Sequence, residues 1–300
     1  MLNSLDRRLI LALQDDGRIT NVELSRRIGC HISTINKRMT QLKEKELVKV
    51  RALPNPFKLG YKANALIAVK ADSLSIDSIC DSLASHFYVN LLVTTFGRYD
   101  ILVLMYYPSW EDLLSQVATV FSKLDGIKMV DTYLIKEVKK RQYSFSGENE
   151  ETVKIDDIDQ SLIEKLTVDG RLTYRQLAQE LGISPATCLR RVSRLLEEEV
   201  IEIKGVPYLA KIESVYHAFM FLHVNPKKLE EVCSIIQGYQ GVFLSVTMIN
   251  RFSLVIGFSK STPEDLFQLK NKVLSLDGVV DGEVIVSAGI KKRYYGGFLK

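Results

Sequence analysis

The apolar positions of this chain change period along its length. Leu5, Leu9, Ile10 and Leu13 recur at helical spacing and give a first helix one apolar face. Asp16-Gly17 ends that helix, with the glycine expected at positive φ past the last turn. Thr20 or Asn21 then caps a short second helix through Ile28, Gly29 breaks it, and Ser33 is the expected cap of a third helix reaching about Lys45. A strand over 47–53 follows, ending at Pro54. After it the spacing predicts a strand at 64–71, a helix at 76–87, strands at 91–96 and 101–106, a helix at 110–124 and a strand at 130–138.

The succession then returns. Residues 5–50 recur at 158–203 in one register without a gap: Asp6 and Asp159, Gly17 and Gly170, Arg18 and Arg171, Gly29 and Gly182, Thr34 and Thr187, and Arg38 and Arg191 coincide. The match runs on through Cys80/Cys233 and Ser109/Thr262 and slips by one residue before Gly126/Gly278. Its later elements are strands at 200–206, 218–224, 244–249, 253–258 and 282–286 and helices at 226–238 and 263–276. Two copies of this length are not a solenoid, whose units are far shorter. They read as complete modules at 1–53, 62–145, 155–206 and 215–298. A chain that carries one module pair twice is expected to act on something twofold.

A short helix, a glycine turn and a polar helix with an apolar inner stripe make a helix-turn-helix. The second copy has the better punctuation, with Ser184 as N-cap and Pro185 as first helical residue. There Leu189, Val192 and Leu196 are expected to face inward, and Thr187, Arg190, Arg191 and Arg194 outward, with Ser184 and Ala186 at the leading end. In the first copy Ser33, Thr34, Asn36, Lys37, Arg38 and Gln41 take the corresponding places. Arginine suits guanine edges and phosphates, and Asn or Gln can pair with adenine. The same segment also fits a plain three-helix module with solvated charges. Its recurrence favours DNA contact.

The run Gly182-Ile183-Ser184-Pro185-Ala186-Thr187-Cys188-Leu189-Arg190-Arg191-Val192, with Arg194-Leu195 and Glu197-Glu198-Glu199 behind it, closely resembles the reader of the Lrp/AsnC ("feast/famine") regulators. The first copy resembles it more loosely, because His31-Ile32-Ser33-Thr34 replaces the Ser-Pro start. The resemblance spans nearly the whole chain, once per repeat. It implies a bacterial or archaeal transcription factor with winged helix-turn-helix domains, double-stranded DNA as partner, sensor modules that pair sheet to sheet into a homo-oligomer, and a small effector such as an amino acid.

The order βαββαβ after each reader is the ferredoxin-like pattern, giving an α+β chain overall. Such a sheet carries helices on one face and leaves the other bare. A large apolar face usually finds a partner, here either the second copy or another chain. Thr95, Gly97, Arg98, Tyr99 and Asp100 form a turn that resembles the family's ligand turn. Gly97 can bring N–H groups close to an anion, and Asp100 can accept from an ammonium. Gly and Asp are also stock residues of an ordinary hairpin. The second copy reads Asn250-Arg251-Phe252-Ser253, losing glycine and carboxylate, so at most one ligand-competent turn per chain is expected.

Bulk properties add limits. Apolar residues make up 46% of the 300, ordinary for a soluble globular protein, and no apolar run is long enough to span a bilayer. The start of the chain lacks a basic stretch followed by an apolar one, so a cytoplasmic location is expected. The four cysteines form no CxxC pair and read as buried thiols. Residues 1–51 carry 11 Lys/Arg against 6 Asp/Glu, whereas 158–204 carry 7 against 8, so only the first reader is basic. Lys139-Lys140-Arg141 and Lys291-Lys292-Arg293 close the repeats as basic clusters, read as solvated strand ends in preference to DNA contacts.

The alternative is an enzyme. Siroheme decarboxylases share this fused layout but carry a His/Arg-rich segment near the connector; residues 51–61 here contain no histidine. His31, His86, His217 and His223 do not recur at equivalent positions, although His217 and His223 remain candidate ligands of a metal or heme. No catalytic motif, metal site or resident cofactor is expected.

Overall fold

The computed structural model describes residues 3–141, 151–208 and 216–293. The first copy comprises α1 (Ser4–Asp15), α2 (Asn21–Ile28), α3 (Ile32–Glu44), β1 (Val48–Pro54), β2 (Ala63–Ala71), α4 (Ile76–Ser85), β3 (Val89–Phe96), β4 (Ile101–Tyr107), α5 (Trp110–Phe121) and β5 (Ile127–Arg141). The second repeats it as α6 (Asp157–Val168), α7 (Tyr174–Leu181), α8 (Pro185–Glu197), β6 (Ile201–Pro207), β7 (Tyr216–Val224), α9 (Leu229–Gln237), β8 (Val242–Ile249), β9 (Leu254–Lys260), α10 (Pro263–Leu274) and β10 (Val279–Arg293). The expected module edges at 1, 145, 215 and 298 lie outside the described residues. Like joins like: one unit holds 3–59 with 153–208, the other 60–141, 151–152 and 216–293.

In the reader unit, β1 and β6 form an antiparallel ribbon in which Arg51 faces Lys204, its own counterpart in the repeat. A pseudo-twofold axis therefore runs through that pair. Helix α1 packs on β6 and α6 on β1, so each reader's first helix covers the other reader's strand. Ala52 accordingly sits among Leu162, Leu166 and Cys188 in the second reader's core. The glycines explain how close this exchange is. Gly17 is not at positive φ, contrary to expectation; Asp16 is the cap, and a Cβ on Gly17 would lie 2.8 Å from the Ile203 carbonyl oxygen. Gly29 and Gly182 do take the left-handed conformation, at φ 68° and 66°, and end α2 and α7. Helix α3 is capped by His31 and not by Ser33, since the imidazole accepts from the Ser33 N–H.

In the other unit each copy forms a four-stranded sheet with two helices on its outer face. Ile67, Val69, Val103, Met105 and Leu113 fill the first core, and Met220, Leu222, Ile256, Phe258 and Val273 the second. The two sheets join edge to edge into a closed barrel, in the order β3-β4-β2-β5-β8-β9-β7-β10 and back to β3. The closing strands are longer than their sequence pattern predicts. The first part of β5 pairs with β2 and its remainder, from Leu134 to Arg141, with β8; β10 likewise passes from β7 to β3. Of the two partners expected for the sheets, the second copy is the one the chain supplies, because every strand of the barrel has both neighbours within the chain. The lysines of the basic clusters serve the same closure. Lys139 pairs with Glu230 of α9 at 2.8 Å, and its counterpart Lys291 with Asp77 of α4 at 3.0 Å, each reaching across to the other copy.

Among the described residues no helix is long and apolar enough to cross a membrane. All four cysteines are unpaired, and burial pushes the Cys80 and Cys233 thiols up to about 11.

Candidate nucleic-acid interface

Helices α3 and α8 stand third in their readers, each held by an apolar stripe and a charged latch. The stripe of α8 is Cys188, Val192 and Leu195, all buried. Leu189 was expected inside and is instead 45% exposed. The α3 stripe is Ile35 and Leu42.

The latch corrects the expected outward direction of three arginines. The Asp159 carboxylate is buried and completes the capping box of α6 with Asp156. Arg191 Nη1 donates to Asp159 at 2.9 Å and to Asp156 at 2.8 and 2.9 Å, and Arg194 Nη2 donates to the other Asp159 oxygen. In the first reader Asp6 is buried at the same place, with Arg38 Nη1 3.7 Å away and also donating to Gln41 at 3.3 Å. These side chains bind the third helix back to the start of the first. The pairing pulls Asp156 below its ordinary value, through the Asp159 N–H first and Arg191 after it, and lifts Arg191. The signal for this latch in the sequence is that acid and base repeat together, Asp6 with Arg38 and Asp159 with Arg191 at the same separation.

What remains on the open face is the leading half of each helix. In α3 Ser33, Thr34, Asn36 and Lys37 are exposed, with Asn36 accepting from Asn21 Nδ2 at 2.7 Å. In α8 Ser184, Ala186, Leu189 and Arg190 are exposed; Thr187 is half-buried and shares a 2.9 Å hydrogen bond with the capping Ser184. One surface is polar and cationic, the other mixes a cation with apolar groups.

The turn expected to hold an effector is folded into its own sheet. Asp100 accepts from Lys70 Nζ and from the Ala71 N–H, both at 2.9 Å, so its carboxylate is already matched. Ser253 accepts from the Val224 N–H at 3.0 Å in the corresponding place. The acid-to-serine change thus preserves a structural role. Thr95 is buried and donates to the Tyr99 carbonyl, Tyr99 is fully buried with its hydroxyl on Asp131 and Tyr133, and Arg98 pairs with Glu283 at 3.1 Å. Gly97, at φ 129°, serves the turn. Burial and the Asp131 bond push the Tyr99 phenol up, so it stays neutral. The two candidate ligand histidines have protein partners: His217 meets Ser259 at 2.8 Å, and His223 meets Asp281 at 2.5 Å while stacking on Phe252.

The model of a winged helix-turn-helix DNA-binding family matches residues 2–49 and again 155–202. An HTH-type transcriptional regulator of Pyrococcus horikoshii is 35% identical over 144 residues, 48% of this chain and 91% of the relative. Among solved structures, the siroheme decarboxylase NirDL is similar over 98% of this chain and 96% of its own, with TM-score 0.72 and 17% identity. The Escherichia coli AsnC structure aligns with 46% of this chain and 93% of its own at TM-score 0.43 and 24% identity.

Proposed function

Because the chain belongs to the Lrp/AsnC family of winged helix-turn-helix transcriptional regulators, in tandem-duplicated form, we propose that it binds a bipartite DNA operator in sequence-specific fashion. The observation that carries this reading is the pair of exposed leading surfaces on α3 and α8, borne on one ribbon-linked unit. Each helix lies in a major groove, with half-site centres one helical turn, about 34–36 Å, or a multiple apart. The two half-sites differ. Thr34, Asn36 and Lys37 suit hydrogen-bonding base edges and phosphate, whereas Ala186 and Leu189 beside Arg190 suit a thymine methyl next to a guanine. A small effector, such as an amino acid, belongs to the same reading and acts by differential affinity for two arrangements. At the 95–100 turn it has to displace Lys70 from Asp100.

Selection of bound fragments from genomic DNA, followed by titration of the recovered site at several salt concentrations, tests the proposal. The expected result is one asymmetric motif and an affinity that falls linearly with log salt. Equal binding to all fragments removes specificity from the reading.

The full-length likeness in fold to a siroheme decarboxylase favours a second reading, a tetrapyrrole enzyme of the same layout. Incubation with siroheme separates the two. A shifted absorption band with release of carbon dioxide supports the enzyme, and an unchanged spectrum supports the regulator.

A further inference from the structure

Between the two readers, inside their shared unit, lies a cleft of about 430 Å³. That volume is within the range of small-molecule sites, roughly 300–1,000 Å³. Its walls come from both copies. Leu13, Met39, Val48 and Val50 line it from the first reader and Val168 from the second. Val168, at the end of α6, is 77% exposed, an apolar side chain uncovered beside an apolar wall.

The charges around this floor are unequal. Lys43, Lys49 and Arg171 line the cleft against Glu46 and Asp169. Lys49 is paired with Glu46 at 3.0 Å, and Asp169 accepts from the Arg171 backbone N–H at 2.9 Å. Arg171 spends Nε and Nη2 on the carbonyls of Gly17 and Ile19, leaving Nη1 for a further acceptor. Lys43 has no ion pair or hydrogen bond from its ammonium among the described residues. The carbonyls at the end of α3 are taken up, with Lys43 O accepting from Lys45 and Glu46 and Leu42 O from Leu47. An apolar floor is therefore bordered by two cationic groups with donors to spare. Burial holds the Arg171 guanidinium below its ordinary value, against the opposing pull of Asp16 and Asp169.

The pseudo-twofold partner of this place lacks that character. There Lys43 becomes Leu196, Lys49 becomes Glu202 and Val168 becomes Asp15. Leu196 packs on the second reader's core, and Asp15 pairs with Arg27 at 2.7 Å.

We propose that the cleft between the readers is a binding site, one per chain, for a small carboxylate with an apolar body, its carboxylate on Lys43 and Arg171 and its body against Met39, Val50 and Val168. Because α3 forms one wall and the second reader the other, an occupant fixes how the recognition helices are mounted; that regulatory sense rests on the DNA-binding reading above. By linkage, a ligand that favours one mounting changes operator affinity by the factor by which operator changes ligand affinity.

The test is calorimetry of the full chain without DNA, using phenylacetate and 4-phenylbutyrate as probes, phenylacetamide as the uncharged control and phenylalanine as the zwitterion. Saturable binding of a carboxylate at one site per chain is expected, several-fold weaker for phenylacetamide and in Lys43→Gln, and lost in Val168→Asp. Both substitutions are at exposed positions, and a circular dichroism spectrum checks folding. No saturable heat from either carboxylate, or heat unchanged in both variants, overturns the site. Tighter binding of phenylalanine than of phenylacetate overturns the ligand class. Failure of the chain to bind DNA leaves this titration intact, so the two readings fail separately.

Discussion

Arg18 and Arg171 hold each other's reader by the same two bonds. Arg18 donates from Nε to the Gly170 carbonyl at 2.9 Å and from Nη2 to Leu172 at 3.2 Å; Arg171 donates to Gly17 at 2.9 Å and to Ile19 at 3.1 Å. Backbone bonds repeat the exchange, from Gly17 N–H to Ile203 and from Gly170 N–H to Val50. The Asp-Gly-Arg triplet of each copy is thus a hook into the other, and the two readers are expected to unfold together. Arg18→Ala, which removes two charge-assisted bonds, should lower unfolding free energy by about 2 kcal/mol in urea denaturation. Gly17→Ala forces a methyl toward the Ile203 carbonyl and should cost about 1–3 kcal/mol. Unchanged midpoints in both would mean that the hook contributes nothing to holding the readers together.

Neighbouring arginines on α8 should separate stability from DNA contact. Arg191→Ala leaves the buried Asp159 with Arg194 alone and should cost about 1–3 kcal/mol in thermal or urea unfolding. Arg190→Ala, at an exposed position, should leave the melting temperature within about a degree or two while weakening operator binding by about 1–3 kcal/mol. The reverse pattern would place Arg191 on the DNA and Arg190 away from it.

Lys37 is the exposed cation of the first recognition surface. If it meets a phosphate, Lys37→Ala should weaken binding about equally at every sequence and reduce the salt slope by about 1. A loss confined to one base pair would instead make it a base contact.

Asp100 and Ser253 predict an asymmetric tolerance. Asp100→Ala removes the acceptor for the Ala71 N–H and for Lys70, and should destabilise the barrel unit by about 1–2 kcal/mol. Asp100→Ser, imitating the second copy, should recover part of that loss, read as hydrogen-exchange protection at Ala71. Equal protection in the two variants would remove the structural role assigned here.

His86 sets a pH dependence. Burial, with the Lys292 ammonium adding to it, holds the imidazole below its ordinary value. The folded chain therefore stays neutral at this ring while the unfolded chain takes up a proton. Stability is complete above the unfolded value of about 6.5 and falls as pH drops from there toward the folded value. Urea midpoints measured between pH 7 and 5 should decline more steeply in the wild type than in His86→Gln. Parallel slopes would contradict the shift.

Much of the architecture was legible from residue order. The gapless repeat predicts the duplication, the switch from helical to alternating spacing predicts the βαββαβ order, and Ser184-Pro185 and Gly182 mark the ends around α8. The candidate site was legible only in part. Its helix, and the exposed Thr34, Asn36, Lys37 and Arg190, follow from periodicity, but Arg38, Arg191 and Arg194 turn back to acids about 32 to 35 residues away. A helical wheel gives the direction of a side chain and says nothing of a buried carboxylate waiting on another helix. Leu189 shows the same limit: two apolar positions one residue apart compete for the stripe, and packing chose Cys188.

Local patterning by itself determined which segments are helix or strand, because capping, glycine conformation and apolar period act within a few residues. Tertiary structure alone decided that Gly17 is a contact and not a turn, that β5 and β10 run on to close a barrel, and that Val168 lines one cleft with Met39 and Val50 of the other copy. Each of those depends on the other copy, about 150 residues away in sequence, arriving within van der Waals distance. Hydrogen-bond and packing energies fall off over a few ångströms, so such facts are set by the meeting of the copies rather than by either one.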